Sequence, residues 1–272
     1  MKIYHYTSLE NLALILKHKT IRFNRLDNMD DPYEKSFLMN QLDWSPYTYV
    51  SCWTENPAES IPLWHMYTNA GKGVRIGIES DFIAWDKQSI AFSVPSRQTH
   101  HKSISRDSSG AFSVTFNPTR IHRPLSDDIC YQKVEYVSEQ EFNEYERNIG
   151  RVSSFMEIDE EMMRKYVGRM RKDKWAFQEE TRFIIYAVPY TSTDAVVSHQ
   201  DFVNLIRLNM PNNVPYIDVP VKVDKLRKID VLLGPDVDEG QSILAKALLN
   251  KYAPDAQLGF SSLGDSPIWY FV

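Results

Sequence analysis

The run Thr181-Arg182-Phe183-Ile184-Ile185-Tyr186-Ala187-Val188 constrains this chain more than any other stretch. β-Branched and aromatic residues fill it almost without polar interruption, so it reads as a central strand covered on both faces, not as a half-solvated edge. Covering layers must come from the rest of the chain. Two-residue alternation or β-branched and aromatic runs predict further strands at 3–6, 21–23, 47–53, 74–78, 130–137, 216–221 and 229–233, with a closing strand at 268–272. Helical spacing of Leu9, Leu12, Ala13, Ile15 and Leu16 predicts a helix from Leu9 to near Thr20, with Thr7 as its cap and Glu10 reaching back. Further helices are expected after Ser60, with Pro62 in the first turn, and at 198–208 and 239–251. Strands outnumber helices without a regular βαβ rhythm, which predicts an α+β fold with a mostly antiparallel, twisted sheet system in a single domain, 1–272.

Two segments depart from this pattern. Residues 94–123 lose apolar periodicity and hold Arg97, Lys102, Arg106, Arg120 and Arg123 with His100, His101 and His122 against the single acid Asp107, and read as a basic loop or insertion. Residues 139–174 read as a helical insertion. Its later part carries Arg164, Lys165, Arg169, Arg171 and Lys172, spaced to put much of the charge on one side of a helix. These segments matter because the whole chain is mildly acidic: 31 Lys+Arg against 36 Asp+Glu leave a net charge of −5, which disfavours a wholesale polyanion binder but not local basic patches.

Several chemistries are disfavoured by what the chain lacks. None of its 10 glycines falls in a G-x-G-x-x-G or G-x-x-x-x-G-K pattern, so no glycine-rich nucleotide loop is expected. Cys52 and Cys130 form no C-x-x-C pair, so neither a disulfide framework nor a metal site is expected. With no long apolar run and no apolar leader, a cytoplasmic protein without a membrane span is the expectation.

Three constellations carry candidate chemistry: Tyr4-His5-Tyr6-Thr7, Trp64-His65-Met66-Tyr67, and Trp175-Ala176-Phe177-Gln178-Glu179-Glu180-Thr181-Arg182. Taken singly, each has a plainer role, respectively a structural hydrogen-bonder, core aromatics and a solvated strand edge. On a strand, Gln178 and Glu180 would share a face and Glu179 would point the other way.

Taken together with Asp30-Asp31-Pro32-Tyr33-Glu34, Ser51-Cys52-Trp53-Thr54-Glu55-Asn56-Pro57 and Gly73-Val74-Arg75-Ile76-Gly77, these motifs resemble a widespread bacterial family of unassigned function from Tyr4 to about Gly234. That family in turn resembles the ADP-ribosyltransferases, including DarT-type toxins that modify DNA and an mRNA-modifying phage-defence toxin. The resemblance implies an ADP-ribosyltransferase-like fold with a cleft for NAD as substrate and no metal. It implies Glu180 as the catalytic carboxylate with Gln178 engaging the acceptor, and NAD-binding roles for His5, Tyr6, Thr7, Trp64 and Tyr67. Arg22 and Arg182, and with them Arg75, are candidate pyrophosphate partners. Arg164, Lys165, Arg169, Arg171 and Lys172 would contact a nucleic-acid acceptor, and a toxin of this kind would have an antitoxin protein as partner. Two alternatives remain open: NAD glycohydrolysis in the same cleft, and a non-enzymatic binding protein on the same fold.

Overall fold

The computed structural model describes residues 1–84, 92–93, 102–106, 112–116, 121–124, 129–151, 160–190, 199–210, 212 and 214–264, with backbone alone for 92–93, 102–106, 112–116, 121–124 and 189–190. Among these residues, eleven strands join in one open sheet. Strand Glu180–Tyr190 lies inside it, antiparallel to Thr48–Thr54 on one edge and to Cys130–Lys133 and Ile121–Pro124 on the other. Pairing within the sheet is antiparallel except between Asp230–Leu233 and Gln257–Phe260, so the architecture is α+β with a largely antiparallel sheet.

The expectation of a doubly covered central strand holds, because successive side chains point to opposite faces. Phe183, Ile185 and Ala187 enter one core, closed by Leu12 and Leu16 of helix Leu9–His18 and by Ala245 and Leu249 of helix Glu239–Tyr252. Ile184, Tyr186 and Val188 enter a second core, closed by Phe142, Met163 and four residues of helix His199–Arg207. The sheet is therefore sandwiched between helices.

One break in the sheet builds the functional region. Strand Thr48–Thr54 carries two partners on the same edge: Lys2–Thr7 meets it only at Tyr4 opposite Thr54, and Thr20–Arg25 only at Asn24 and Arg25, opposite Val50 and Tyr49. Between those points the two strands diverge. Lys2–Thr7 continues into Val74–Glu79, and Thr20–Arg25 into Tyr216–Pro220. Helix Leu9–His18 joins them across the opening, and a groove of about 400 Å³ runs between the separated strands.

Several local expectations are corrected. The helix cap is Ser8, whose Oγ accepts from the Asn11 backbone N–H, while Thr7 stays in the strand ladder opposite Val74. The segment expected as a basic loop contains strands Lys102–Arg106, Phe112–Phe116 and Ile121–Pro124, the last paired with the central strand. Its remaining residues, and the strand expected at 268–272, lie outside the described residues. The segment 139–174 is only partly helical: helices Glu139–Tyr145 and Glu160–Tyr166 are followed by strand Met170–Lys172, parallel to Glu135–Val137. Gly168 makes that turn with a φ of +75°, a conformation L side chains adopt at a cost.

Candidate active site

His5, Tyr67, Gln178 and Glu180 line one small pocket at the inner end of the groove. The pocket lies where the Lys2–Thr7 and Thr48–Thr54 strands part, against helix Ile61–Tyr67, and its floor is the entrance to the central strand. His5 and Tyr67 also line the larger groove, so the two spaces adjoin through them.

The sheet break itself orients His5. Its Nδ1 lies 2.8 Å from the Cys52 carbonyl. Because a carbonyl only accepts, Nδ1 carries the proton, which leaves Nε2 of the neutral ring as an acceptor. Burial lowers the imidazole's pKa below the usual 6.5, only partly opposed by the bond to Cys52, so the ring is neutral near pH 7. Towards a ligand His5 therefore offers an acceptor.

Glu180 is 5% exposed and lies between two guanidiniums. Arg171 Nη1 donates to its Oε2 at 2.7 Å, and Arg182 donates through Nε and Nη2 to Oε1 and Oε2 at 2.8 and 3.1 Å. Burial by itself would raise this carboxyl, but Arg182 and Arg171 outweigh it and hold it at about 2. Of the roughly four acceptor positions of a carboxylate these bonds use three, and the Cys52 thiol hydrogen-bonds the same group. Glu180 is thus a permanently ionised carboxylate at neutral pH, suited to electrostatic stabilisation and not to proton donation.

Gln178 and Glu180 come together, as expected, but not through strand alternation. Gln178 ends a tight 3₁₀ turn, Asp173–Gln178, and Glu179 takes a left-handed backbone with φ 44° and ψ 48°, so the strand starts only at Glu180. That turn sends Glu179 outward, where Asn56 Nδ2 donates to it at 2.6 Å. Gln178 is 4% exposed; its oxygen accepts from Arg171 Nη1 at 2.5 Å and its amide donates to the Tyr67 hydroxyl at 2.8 Å.

Other expected site residues fall elsewhere. Trp64, expected to contact NAD, is 1% exposed, edge-on to Tyr6 and donating its Nε1–H to Glu59, so it is a core side chain. Tyr67, at the helix's last turn, is 37% exposed and offers the accessible aromatic face. Tyr6 and Thr7 border the groove, each with its hydroxyl already accepting one bond: Tyr6 from the Ser60 N–H, and Thr7 Oγ1 from the Asn11 amide. Arg22 lines the groove in a two-pronged pair with Asp218 at 2.9 and 3.0 Å. Arg75 donates to the Pro57 carbonyl and lies over the Tyr4 ring.

Arg182 is corrected from a phosphate partner to an interior residue. It is fully buried, donating to Glu180, Glu34 and the Gly168 carbonyl. Arg171 and Lys172, expected on an exposed basic helix, are 3% and 2% exposed on strand Met170–Lys172. The Lys172 ammonium is gripped by both Glu139 oxygens at 2.6 Å and sits 3.4 Å from the Tyr33 ring centroid. Arg164, Lys165 and Arg169 do border a surface groove, together with Glu135, Glu160 and Glu161, and Arg164 pairs with Glu160 at 2.6 Å.

The sequence reading gave no role to Asp31 and Glu34. Both are buried beside Arg171 at 3.6 and 3.5 Å, and Glu34 accepts from Arg182. The signal was the clustering of acids in Asp30-Asp31-Pro32-Tyr33-Glu34, which here grounds the two arginines that hold Glu180. Burial raises the Glu34 carboxyl, opposed by Arg182 and Arg171.

No family model matches the chain, and no curated protein and no solved structure matches it. Among the described residues no helix is long and apolar enough to cross a membrane, and no group of three or more His, Cys, Asp or Glu side chains is arranged to hold a metal ion.

Proposed function

We propose that this chain is an ADP-ribosyltransferase with an ADP-ribosyltransferase-like fold, transferring ADP-ribose from NAD to a macromolecule, with nucleic acid favoured as acceptor and a toxin role in phage defence or a toxin–antitoxin pair. One observation carries the reading. His5, Tyr67, Gln178 and Glu180, matched to the resemblance across some 175 residues of sequence, line a single pocket at the end of a groove. An open sheet parted at one strand also agrees with a fold that holds NAD in a cleft without a glycine loop.

The chemistry follows from the residues. Breaking the bond between ribose C1′ and the nicotinamide nitrogen sends the electron pair to nicotinamide and leaves positive charge on the ribose, as in glycoside cleavage. A carboxylate fixed beside that charge, with little water around it, stabilises the transition state more than the ground state. Glu180 is such a group. Its arginine partners keep it ionised and immobile, so no reorganisation is needed as charge develops. Tyr67 offers an aromatic face to the leaving ring, and stacking contributes about 0.5–1.5 kcal/mol beyond burial. His5 Nε2 accepts a ribose hydroxyl. An acceptor nucleophile then attacks C1′ and gives up its proton to solvent.

For the acceptor, exposed Lys165 and the half-buried Arg164 and Arg169, paired with Glu160 and Glu135, are the basic residues on which a phosphate backbone would lie. RNA or DNA binding should weaken steeply with salt, and charge reversal at these three residues should flatten that slope. A flat slope in the unaltered protein removes nucleic acid as the acceptor.

Incubating the protein with labelled NAD and separate pools of protein, RNA and DNA tests the whole reading. Label in one pool, absent with Glu180→Ala, names the acceptor class. Nicotinamide release without labelled macromolecule identifies a glycohydrolase, and no NAD binding by calorimetry removes the NAD reading and favours a non-enzymatic protein.

The His5 tautomer adds a pH prediction. NAD affinity should stay level through neutrality and fall in acid, with a break below 6.5, as the ring takes a proton and Nε2 stops accepting. His5→Asn should lose that break. Calorimetric titrations between pH 5 and 8 read it directly, and a break that survives in His5→Asn belongs to another group.

A further inference from the structure

We infer that Arg171 is a positioning residue for Tyr67, acting through the Gln178 amide, and that Gln178 itself makes no contact with ligand. The inference rests on reading the cleft as a NAD site. A guanidinium only donates, so the oxygen that Arg171 Nη1 meets at 2.5 Å must be the Gln178 carbonyl. The other end of the amide is then an NH₂ group, which donates to the Tyr67 hydroxyl at 2.8 Å. Tyr67 therefore accepts on its inner side, and its own proton is directed away from Gln178 into the cleft. The same Nη1 binds Glu180 Oε2 at 2.7 Å, and the Arg171 guanidinium is fixed against the Trp175 ring at 4.5 Å. One buried arginine thus sets both the carboxylate and the hydroxyl that face the ligand. Their polarities differ: the ligand meets the negative charge of Glu180, an acceptor at His5 Nε2 and a donor at Tyr67. The group seated against Tyr67 must carry an acceptor oxygen, such as a carboxamide carbonyl or a phosphate oxygen.

Gln178→Glu reverses this relay with little change in shape. A carboxylate at 178 still pairs with Arg171 but only accepts, so it takes the Tyr67 proton that the ligand would otherwise receive. In calorimetry with NAD, Gln178→Glu and Tyr67→Phe should each weaken binding about five- to tenfold, the size of one lost hydrogen bond. The double variant should be no weaker than Tyr67→Phe alone. The turnover number of the bound complex should move less than the affinity, a split that simple loosening of the fold would not produce. If Gln178→Glu costs as much in the Tyr67→Phe background as in the unaltered protein, Gln178 touches ligand itself and the relay is overturned. Thermal melting of the four proteins without ligand supplies a second arm. The relay expects the effects at 67 and 178 to be coupled, and additive effects overturn it. Coupling in melting without any NAD binding leaves the relay standing and removes the NAD reading.

Discussion

Glu180→Gln should lower NAD turnover at least about 10²-fold, the loss expected for a principal electrostatic stabiliser, while Glu179→Gln leaves turnover nearly unchanged. The two side chains are neighbours in sequence and opposites in environment. Glu180 is 5% exposed between Arg171 and Arg182, whereas Glu179 is exposed and bonded to Asn56 at 2.6 Å. An amide at 180 keeps the shape but removes the full negative charge that offsets the developing cation. It also turns an NH₂ group towards one of two guanidiniums, which have nothing to give it but further donors. A nicotinamide-release assay on both variants, with circular dichroism to show that each is folded, decides the matter. Equal losses would sink the assignment of Glu180.

Arg182→Met should destabilise the protein by about 3–5 kcal/mol, because it leaves Glu180 and Glu34 buried with Arg171 as the one remaining cation beside both. At this chain length that corresponds to a fall in Tm of roughly 10 °C. Arg22→Met is the contrast. Its ion pair with Asp218 has side chains 43% and 38% exposed, and such pairs contribute at most about 1 kcal/mol. Chemical denaturation of both variants tests the difference, and a loss at Arg182 no larger than that at Arg22 would show that the buried network contributes little.

The same network carries an acid signature. Against the cost of burial, Arg182 and Arg171 hold the Glu180 carboxyl at about 2, below the ordinary 4.5, so its stabilisation is complete above 4.5 and is lost as pH falls from there towards 2. The difference corresponds to about 3 kcal/mol. Glu34 works in the opposite sense: its folded carboxyl is raised, so its share favours the protonated form and declines as pH rises above 4.5. In Arg182→Met the loss between pH 4.5 and 2 should shrink, because the main group holding Glu180 ionised is gone.

Much of the fold is legible in the chain because its signals are local. The apolar run that enters two cores, the 3.6-residue stripe of helix Leu9–His18 and the Ser60 and Pro62 start of helix Ile61–Tyr67 each depend on neighbours within one or two turns. The capping error at Thr7 was small and instructive. Two adjacent hydroxyl residues both suit a cap, and only the ladder bond of Thr7 to Val74 leaves the role to Ser8. The basic helix was a larger error. Arg164, Lys165, Arg169, Arg171 and Lys172 look alike as charges, yet Gly168 ends the helical path and turns the last two into the interior. That glycine was a readable stop signal.

By itself, then, the sequence determined most of the strands and helices that enclose the cleft, that the Phe183 to Val188 strand is covered twice, and which residue types are available for cleft chemistry. The tertiary structure alone decided which charges are solvent-facing and which are buried, because a charge takes its partner from space and not from sequence. Arg182 finds Glu34 148 positions away, and Gln178 finds Tyr67 111 positions away. No local pattern encodes such pairs. They arise when a sheet parts at one strand, brings the first strand, the Asp31 and Glu34 loop and the central strand's entrance together, and removes the water that would otherwise make every charge equivalent.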